Sequence, residues 1–244
     1  MTAMKTKRGA YASMNGTATT QASTAINAIK DYILQSHLHP GDPLPTESQL
    51  CTDLGMSRSS VREAVRTLVA LDIVEVRHGH GMFVGQISMR PMVESLVFRG
   101  LLKPGDDYQA LREVVEVRAT LDDSLAEQVI RVWKGRRNRA IDAVVEQMEQ
   151  LAAAGKTFTE QDHRFHSMLL KALPNHLFGH LTDAFWAVHT LTVPLLDAPH
   201  PEDIMRTASA HRAMLEAARA GDRDAYRAAV KEHYAPLKAV LQSS

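Results

Sequence analysis

Apolar and polar positions repeat with two different periods along the chain, and the change of period predicts where its elements lie. A polar stretch without any period occupies residues 1–20, and we expect it to be a disordered tail. A helical period begins at Ser23 and stops at Pro40 and Gly41. Two short helical patterns follow in close succession, over 47–54 and after Ser57. The N-terminal region is therefore predicted to contain three helices.

Hydroxyl residues mark the starts of the two short helices. Thr46 ends a predicted loop over 42–46, and Gln49, three residues later, completes a capping-box pattern with it. Gly55 stops the helix, and Ser57 is the N-cap expected for the next one. Two helices joined by so tight a turn are typical of a helix-turn-helix.

The period changes to two beyond Asp72. The pattern predicts strands over 73–77 and 82–84, joined by a glycine-containing turn over 78–81. Three helices followed by a β-hairpin form a winged helix-turn-helix. We predict this domain over residues 21–85.

Only helical periods follow the hairpin. A connector is expected over 86–107, with a short helix over 92–102, and an all-α helical bundle over 108–244. Proline and glycine breaks bound its predicted helices, which are 108–133, 135–153, 158–173, 175–192, 202–219 and 222–241. The chain is predicted to be mainly α.

Composition excludes several classes of protein. A single cysteine among 244 residues allows neither an internal disulfide nor a paired-cysteine zinc site. No apolar run is long enough to span a bilayer, so we expect no membrane partner and a cytoplasmic location. The 28 Lys and Arg residues balance 28 Asp and Glu residues. A nucleic-acid partner would therefore need a local concentration of positive charge.

Such a concentration occurs at the start of the third helix. Small hydroxyls let a backbone approach DNA, and arginines four residues apart can read guanine in the major groove. The alternative is an ordinary solvated helix face, which the neighbouring turn and hairpin disfavour. The candidate DNA-binding residues are Ser57, Arg58, Ser59, Ser60, Arg62 and Arg66, with Arg77, His78 and Gly79 in the hairpin.

Histidines are concentrated in the second half, where eight of the 12 follow residue 160. Asp162 and His166 lie one helical turn apart, a spacing that suits one divalent ion. His211 and His233 lie near the apolar stripes of two later helices. From spacing alone, the four residues are either one metal site or unrelated histidines at the core edge and surface.

Three segments make residues 21–85 resemble the GntR family of bacterial transcription regulators: 43–50 (PLPTESQL), 57–64 (SRSSVREA) and 78–84 (HGHGMFV). The resemblance implies DNA contacts by Arg58, Arg62, Gly79 and the serine hydroxyls. Many relatives carry an arginine where this chain has Ser48, which leaves the operator sequence open.

The later half resembles the ligand-binding FCD domain of the FadR subfamily. The resemblance is carried by 116–118 (EVR), 162–166 (DHRFH), 173–175 (LPN), 211–214 (HRAM), Gly221-Asp222 and His233. It implies that Asp162, His166, His211 and His233 bind a divalent metal, commonly zinc, with nickel or manganese as alternatives. Arg118 would then pair with a carboxylate effector or form a structural ion pair. Asn175 would contact that effector or cap its helix.

The resemblance therefore implies a homodimeric regulator of double-stranded operator DNA, usually a repressor relieved by a small carboxylate. The alternative is a regulator that responds to metal alone, and a metal-dependent hydrolase is disfavoured because no dedicated general base is recognisable. Trp186 and Phe185 are expected in the core rather than stacked on a ligand. The histidines expected at the surface or pocket rim are His163, His176, His180, His189 and His200.

Overall fold

The computed structural model describes residues 20–102, 108–195 and 203–242. Its contacts divide the chain into two units, between Pro91 and Met92. Except for Thr20, the predicted tail lies outside the described residues, as does His200. Within the described ranges, no helix is both long and apolar enough to cross a membrane.

The first unit is a winged helix-turn-helix, as the sequence predicts. Its three helices pack with a small antiparallel sheet whose third strand in the sequence lies between the first and second, so that Val74 pairs with Val84 and Leu44 with Met82. Its core includes Ile29, Leu50 and Leu68. The elements are α1 (Gln21–Gln35), β1 (Pro43–Leu44), α2 (Glu47–Leu54), α3 (Arg58–Ala70), β2 (Val74–Arg77) and β3 (Gly81–Val84).

Both predicted caps of the helix-turn-helix are confirmed. The Thr46 hydroxyl accepts a hydrogen bond from the Gln49 amide, and the Gln49 side chain accepts one from the Thr46 amide. Ser57 accepts a hydrogen bond from the Ser60 amide at 3.2 Å. Gly55 ends α2 in the left-handed region, at φ 61°, which a glycine adopts without strain.

The predicted loop over 42–46 is partly wrong, because Pro43 and Leu44 form β1. The Val84 amide donates to the Asp42 carbonyl and the Gly41 amide donates to the Val84 carbonyl, which aligns β1 with β3, and Leu44 is buried. A proline lacks the amide donor, so Pro43 suits an edge strand better than a central one.

The second unit is all-helical among its described residues, as predicted, and the helix Arg90–Leu101 is grouped with it from Met92 onward. The predicted single helix over 108–133 is wrong, because it is interrupted at Leu125, whose ψ is −1°. Pro194 lies inside the helix Leu177–Leu195, one residue before its end, instead of following it. The helices are α4 (Arg90–Leu101), α5 (Gln109–Ser124), α6 (Ala126–Trp133), α7 (Arg139–Ala153), α8 (Thr159–Lys171), α9 (Leu177–Leu195), α10 (Ile204–Ala220) and α11 (Arg223–Gln242).

The core of this unit fixes α8 against its neighbours. Phe165 and Leu169, one turn apart on α8, are fully buried. The indole N–H of Trp133 donates to the Leu169 carbonyl at 3.1 Å, which ties α6 to α8. Met214 on α10 and Val230 on α11 belong to the same cluster. This packing brings the inner faces of α5, α8, α10 and α11 together.

Candidate functional site

Four side chains predicted as metal ligands converge inside the helical unit. Asp162 and His166 lie on α8, His211 on α10 and His233 on α11. Each offers one ligand atom, and these atoms all lie within 4.8 Å of one another. The three imidazoles are buried and the Asp162 side chain is 15% exposed. The structure thus brings together residues that are up to 71 positions apart, the separation of Asp162 and His233.

The imidazole nitrogens have different roles in this cluster. His211 Nδ1 lies 2.8 Å from the Thr207 carbonyl, which only accepts, so this nitrogen carries the proton. His211 Nε2 then turns its lone pair toward Asp162 Oδ1, 3.1 Å away. His166 Nε2 lies 3.3 Å from the same oxygen and 3.2 Å from His233 Nε2.

Electron-pair donors that face one another at these distances need a cation between them, either a proton or a metal ion. One carboxylate and three imidazoles form a donor set that suits zinc, nickel or manganese. The mutual approach of the Nε2 atoms of His166, His211 and His233 and of Asp162 Oδ1 therefore fits a divalent metal.

Burial and charge act in opposite directions on the protonation of this cluster. Burial would raise the pKa of Asp162, but His211 and His166 hold that pKa well below its usual range. Burial would lower the pKa of His166, but the Asp122 and Asp162 carboxylates raise it to about 9. Burial, together with His211, holds the pKa of His233 well below its usual value. Without a metal, the cluster therefore retains a proton on His166 at neutral pH.

A cavity of about 110 Å³ borders Asp162 and His233. It is large enough for several water molecules, and so for a small organic acid of similar bulk. Phe158, Trp186, Ile204 and Leu237 contribute apolar walls, and the polar groups around it are Arg118, Thr157, Thr159, His189 and Thr207.

Arg118 lines the same cavity with a buried side chain, only 5% exposed. Its guanidinium carbon lies 4.5 Å from the ring centre of Trp186 and 5.6 Å from that of Tyr234. In the described part of the chain, no carboxylate lies within 4.0 Å of this guanidinium, so the structural ion pair considered from the sequence is not found. The aromatic faces stabilise the charge without occupying its hydrogen-bonding edge.

Asn175 does not reach this cavity. Its side chain is exposed, and its carbonyl oxygen accepts a hydrogen bond from the Leu177 amide at 3.1 Å, at the start of α9. Of the two predicted roles, the structure shows the helix cap, and contact with an effector stays a prediction.

The surrounding aromatic residues agree with expectation only in part. Trp186 is buried, as predicted, yet it also lines the cavity. His163 stacks on it with ring centres 5.5 Å apart and pairs with Asp183, so His163 is no simple surface residue. His189 lines the cavity, whereas His176 and His180 are exposed. Phe185 is only half-buried, so its predicted core position is wrong.

Sequence reasoning missed two buried residues beside the cluster. Asp122 is 3% exposed, and its Oδ2 lies 3.3 Å from His166 Nδ1. The Tyr234 hydroxyl donates to that same oxygen at 2.8 Å. A signal was present, because Asp122 continues the stripe of buried α5 residues through Leu111, Val115 and Arg118.

The serines at the start of α3 form a hydrogen-bonded group. Ser57 Oγ lies 3.0 Å from Ser59 Oγ and 2.8 Å from Ser60 Oγ. Ser57 and Ser59 are exposed, but Ser60 is buried and donates to Gln21 of α1. The expectation that Ser60 lies on the exposed face is therefore wrong, because this hydroxyl joins α3 to α1.

The arginines predicted to bind DNA are exposed but differ in their partners. Arg62 Nε lies 3.6 Å from Glu47, and Arg66 lies 3.9 Å from Glu63. Arg77 forms two hydrogen bonds with Glu75 and lies over the Phe83 ring. Within the described residues, no carboxylate lies within 4.0 Å of Arg58.

The predicted wing turn is present between β2 and β3. His78 and Gly79 are exposed in it, and Gly79 has φ of 76°, a left-handed conformation that favours glycine. The turn therefore presents backbone rather than bulky side chains to solvent at Gly79.

Two family profiles match the chain. The profile described as "FCD domain" matches residues 113–236, which include all four residues of the cluster. The profile described as "Bacterial regulatory proteins, gntR family" matches residues 21–84, which include α3 and the wing.

The chain is also similar to individual transcriptional regulators and to a solved structure. The galactonate operon transcriptional repressor of Escherichia coli (strain K12) is 26% identical over 76% of this chain and 81% of its own length. The HTH-type transcriptional regulator LutR of Bacillus subtilis (strain 168) is 28% identical over 61% of this chain and 66% of its own. The solved structure of Streptococcus agalactiae GntR, 24% identical, has the same fold, with a TM-score of 0.66 over 91% of this chain and 100% of that one.

Proposed function

The chain belongs to the GntR family of bacterial regulatory proteins and has an FCD domain, and on that premise we propose that it is a repressor whose operator binding is relieved by a small carboxylate. Proteins of this family are DNA-binding transcriptional regulators, not enzymes. The repressor direction is supported by the name of the galactonate operon repressor.

One observation supports the effector proposal most strongly. The Arg118 side chain is buried, and among the described residues no carboxylate lies within 4.0 Å of its guanidinium. Its planar guanidinium can bind a carboxylate through two parallel hydrogen bonds. It lines one cavity with Asp162 and His233. A small acid in that cavity would place its carboxylate on Arg118 and its apolar part against Trp186.

We propose that Asp162, His166, His211 and His233 hold a divalent metal, with zinc the first candidate. A bound metal would supply positive charge that attracts the acid's oxygens. The contribution of the protein is to hold three Nε2 atoms and one carboxylate oxygen in place. Burial limits competition from water.

At the DNA, we propose that two copies of the chain form a homodimer that presents two α3 helices to successive major grooves of an operator. Arg58 and Arg62 would read base edges, and Ser57, Ser59 and the backbone of Gly79 would approach the phosphates. The acid must then bind the DNA-incompatible state more tightly, by about 1 to 3 kcal/mol in ordinary cases of coupling.

Fluorescence anisotropy tests this proposal with zinc-loaded protein, DNA from upstream of its own gene, and lactate, gluconate or succinate. We expect tight binding that one of these acids weakens, and Arg118→Met should abolish that response while it retains DNA affinity. Arg131→Met, which removes an exposed arginine of α6, should keep the response. DNA binding that responds to chelator but to none of the acids would instead favour a regulator of metal alone.

A further inference from the structure

A second carboxylate lies behind the metal cluster, on the side away from its centre. Asp122 of α5 is 3% exposed, and a buried charge is costly unless neighbouring groups compensate it. Two groups do so, because the Tyr234 hydroxyl donates to Asp122 Oδ2 and His166 Nδ1 lies 3.3 Å from the same oxygen. Among the described residues, the polar contact of Asp122 with the cluster is to His166, which has its other nitrogen at the centre.

We propose that Asp122 is a positioning residue for the metal, which fixes His166 as the tautomer protonated on Nδ1 and turns Nε2 toward the centre. Tyr234 holds the Asp122 carboxylate in place for that task. The proposal rests on the metal site proposed above. Asp122 and Tyr234 would thus act on the metal through His166, without contacting it.

The three imidazoles differ in what supports them. His211 Nδ1 donates to a backbone carbonyl, that of Thr207. Within the described part of the chain, the buried Nδ1 atoms of His233 and His166 both lack a hydrogen bond of good geometry, but His166 Nδ1 lies 3.3 Å from the Asp122 carboxylate. His166 therefore differs from both in facing a carboxylate. A carboxylate behind a ligating histidine orients the ring and raises the basicity of the coordinating nitrogen.

Asp123 provides a matched control, because it is the next residue on the same helix. Its side chain is 39% exposed and pairs with Arg227 at 3.7 Å, away from the cluster. Asp122→Asn and Asp123→Asn remove the same charge with the same change of shape. A difference between them therefore reports the position of the carboxylate, not the net charge.

Zinc affinity of the full chain, measured by competition with a chromophoric chelator, tests the proposal. We expect Asp122→Asn to weaken zinc binding about 10- to 100-fold, the range found when such outer partners are removed. Asp123→Asn should bind as the wild type does. Tyr234→Phe, which keeps the ring and removes one donor to Asp122, should show a smaller loss in the same direction.

Equal zinc affinity of Asp122→Asn and wild type would overturn the proposal. A wild-type chain that binds no zinc would overturn the metal site itself, and the positioning role with it, so the two failures are distinguishable. Nitrogen-15 NMR of histidine-labelled, zinc-loaded wild type decides the matter without a variant. We expect His166 to be protonated at Nδ1 and coordinated through Nε2, and coordination through Nδ1 would refute the role of Asp122.

Discussion

Replacement of Arg58 by alanine should weaken operator binding more than any other single arginine change in α3. Arg58 is the exposed first residue of that helix, and no described carboxylate lies within 4.0 Å of it. Its removal therefore breaks no ion pair inside the described protein. The loss is that of one base contact, about 1 to 3 kcal/mol, or about 5- to 140-fold in Kd.

Arg62 provides the internal comparison. Its Nε lies 3.6 Å from Glu47 Oε2, and both side chains are well exposed. An exposed ion pair of this kind stabilises the free protein by about 0 to 1 kcal/mol. That stabilisation is lost when Arg62 leaves Glu47 to contact a base. Arg62→Ala should therefore cost less than Arg58→Ala by up to that amount, and Glu47→Gln should not weaken binding.

The assay is fluorescence anisotropy with operator and scrambled DNA, each at two salt concentrations. Loss of a base contact lowers the affinity for the operator and reduces the ratio of operator affinity to scrambled-DNA affinity. Loss of a phosphate contact lowers both affinities alike and reduces the salt slope by about 1. Arg137→Ala, an exposed arginine of the helical unit, controls for net charge. Unchanged operator affinity of Arg58→Ala at both salt concentrations would refute the assignment.

Three further outcomes are expected. Zinc should raise the Tm of the wild type, as a ligand of the folded state does, but not that of His211→Ala, and a full zinc-induced shift in the variant would remove His211 from the ligand set. Leu169→Ala should lower the free energy of unfolding by about 2 to 5 kcal/mol in urea titrations, because Leu169 is fully buried; a loss below 1 kcal/mol would contradict this. The hydrogen bonds from Arg212 lower the pKa of Glu149 below 4.5, so this pair stabilises the fold above pH 4.5 and its contribution is lost as pH falls through the lowered pKa. Glu149→Gln should therefore lose less stability than wild type between pH 5 and pH 3 in thermal melts, and identical pH profiles would exclude the pair.

The features that the sequence predicted well depend on neighbours in the chain. The capping box of Thr46 and Gln49 spans three residues, and the turn between β2 and β3 is set by its own glycines. The period of Val61, Ala64, Val65 and Leu68 identifies the buried face of α3 by itself. Such patterns determine local structure before any tertiary contact forms.

The errors arose where a distant residue decides the outcome. Pro43 and Leu44 are extended because β3 pairs with them from about 40 residues away, and no local period reports that pairing. Ser60 reads as an exposed hydroxyl at the start of α3, yet Gln21 accepts its hydrogen bond from α1.

The metal cluster lies between these two cases. The spacing of Asp162 and His166 is local, but His211 and His233 needed either the resemblance or the fold to bring them to the same point. Arg118 and Asp122 carried a signal of another kind, because both occupy positions of the stripe by which α5 packs against the core. A charge in such a stripe is costly to bury without a partner, so it indicates a site in the interior. In this chain the partners are aromatic rings and a tyrosine hydroxyl, and α5 thereby carries both the arginine that faces the cavity and the carboxylate that faces His166.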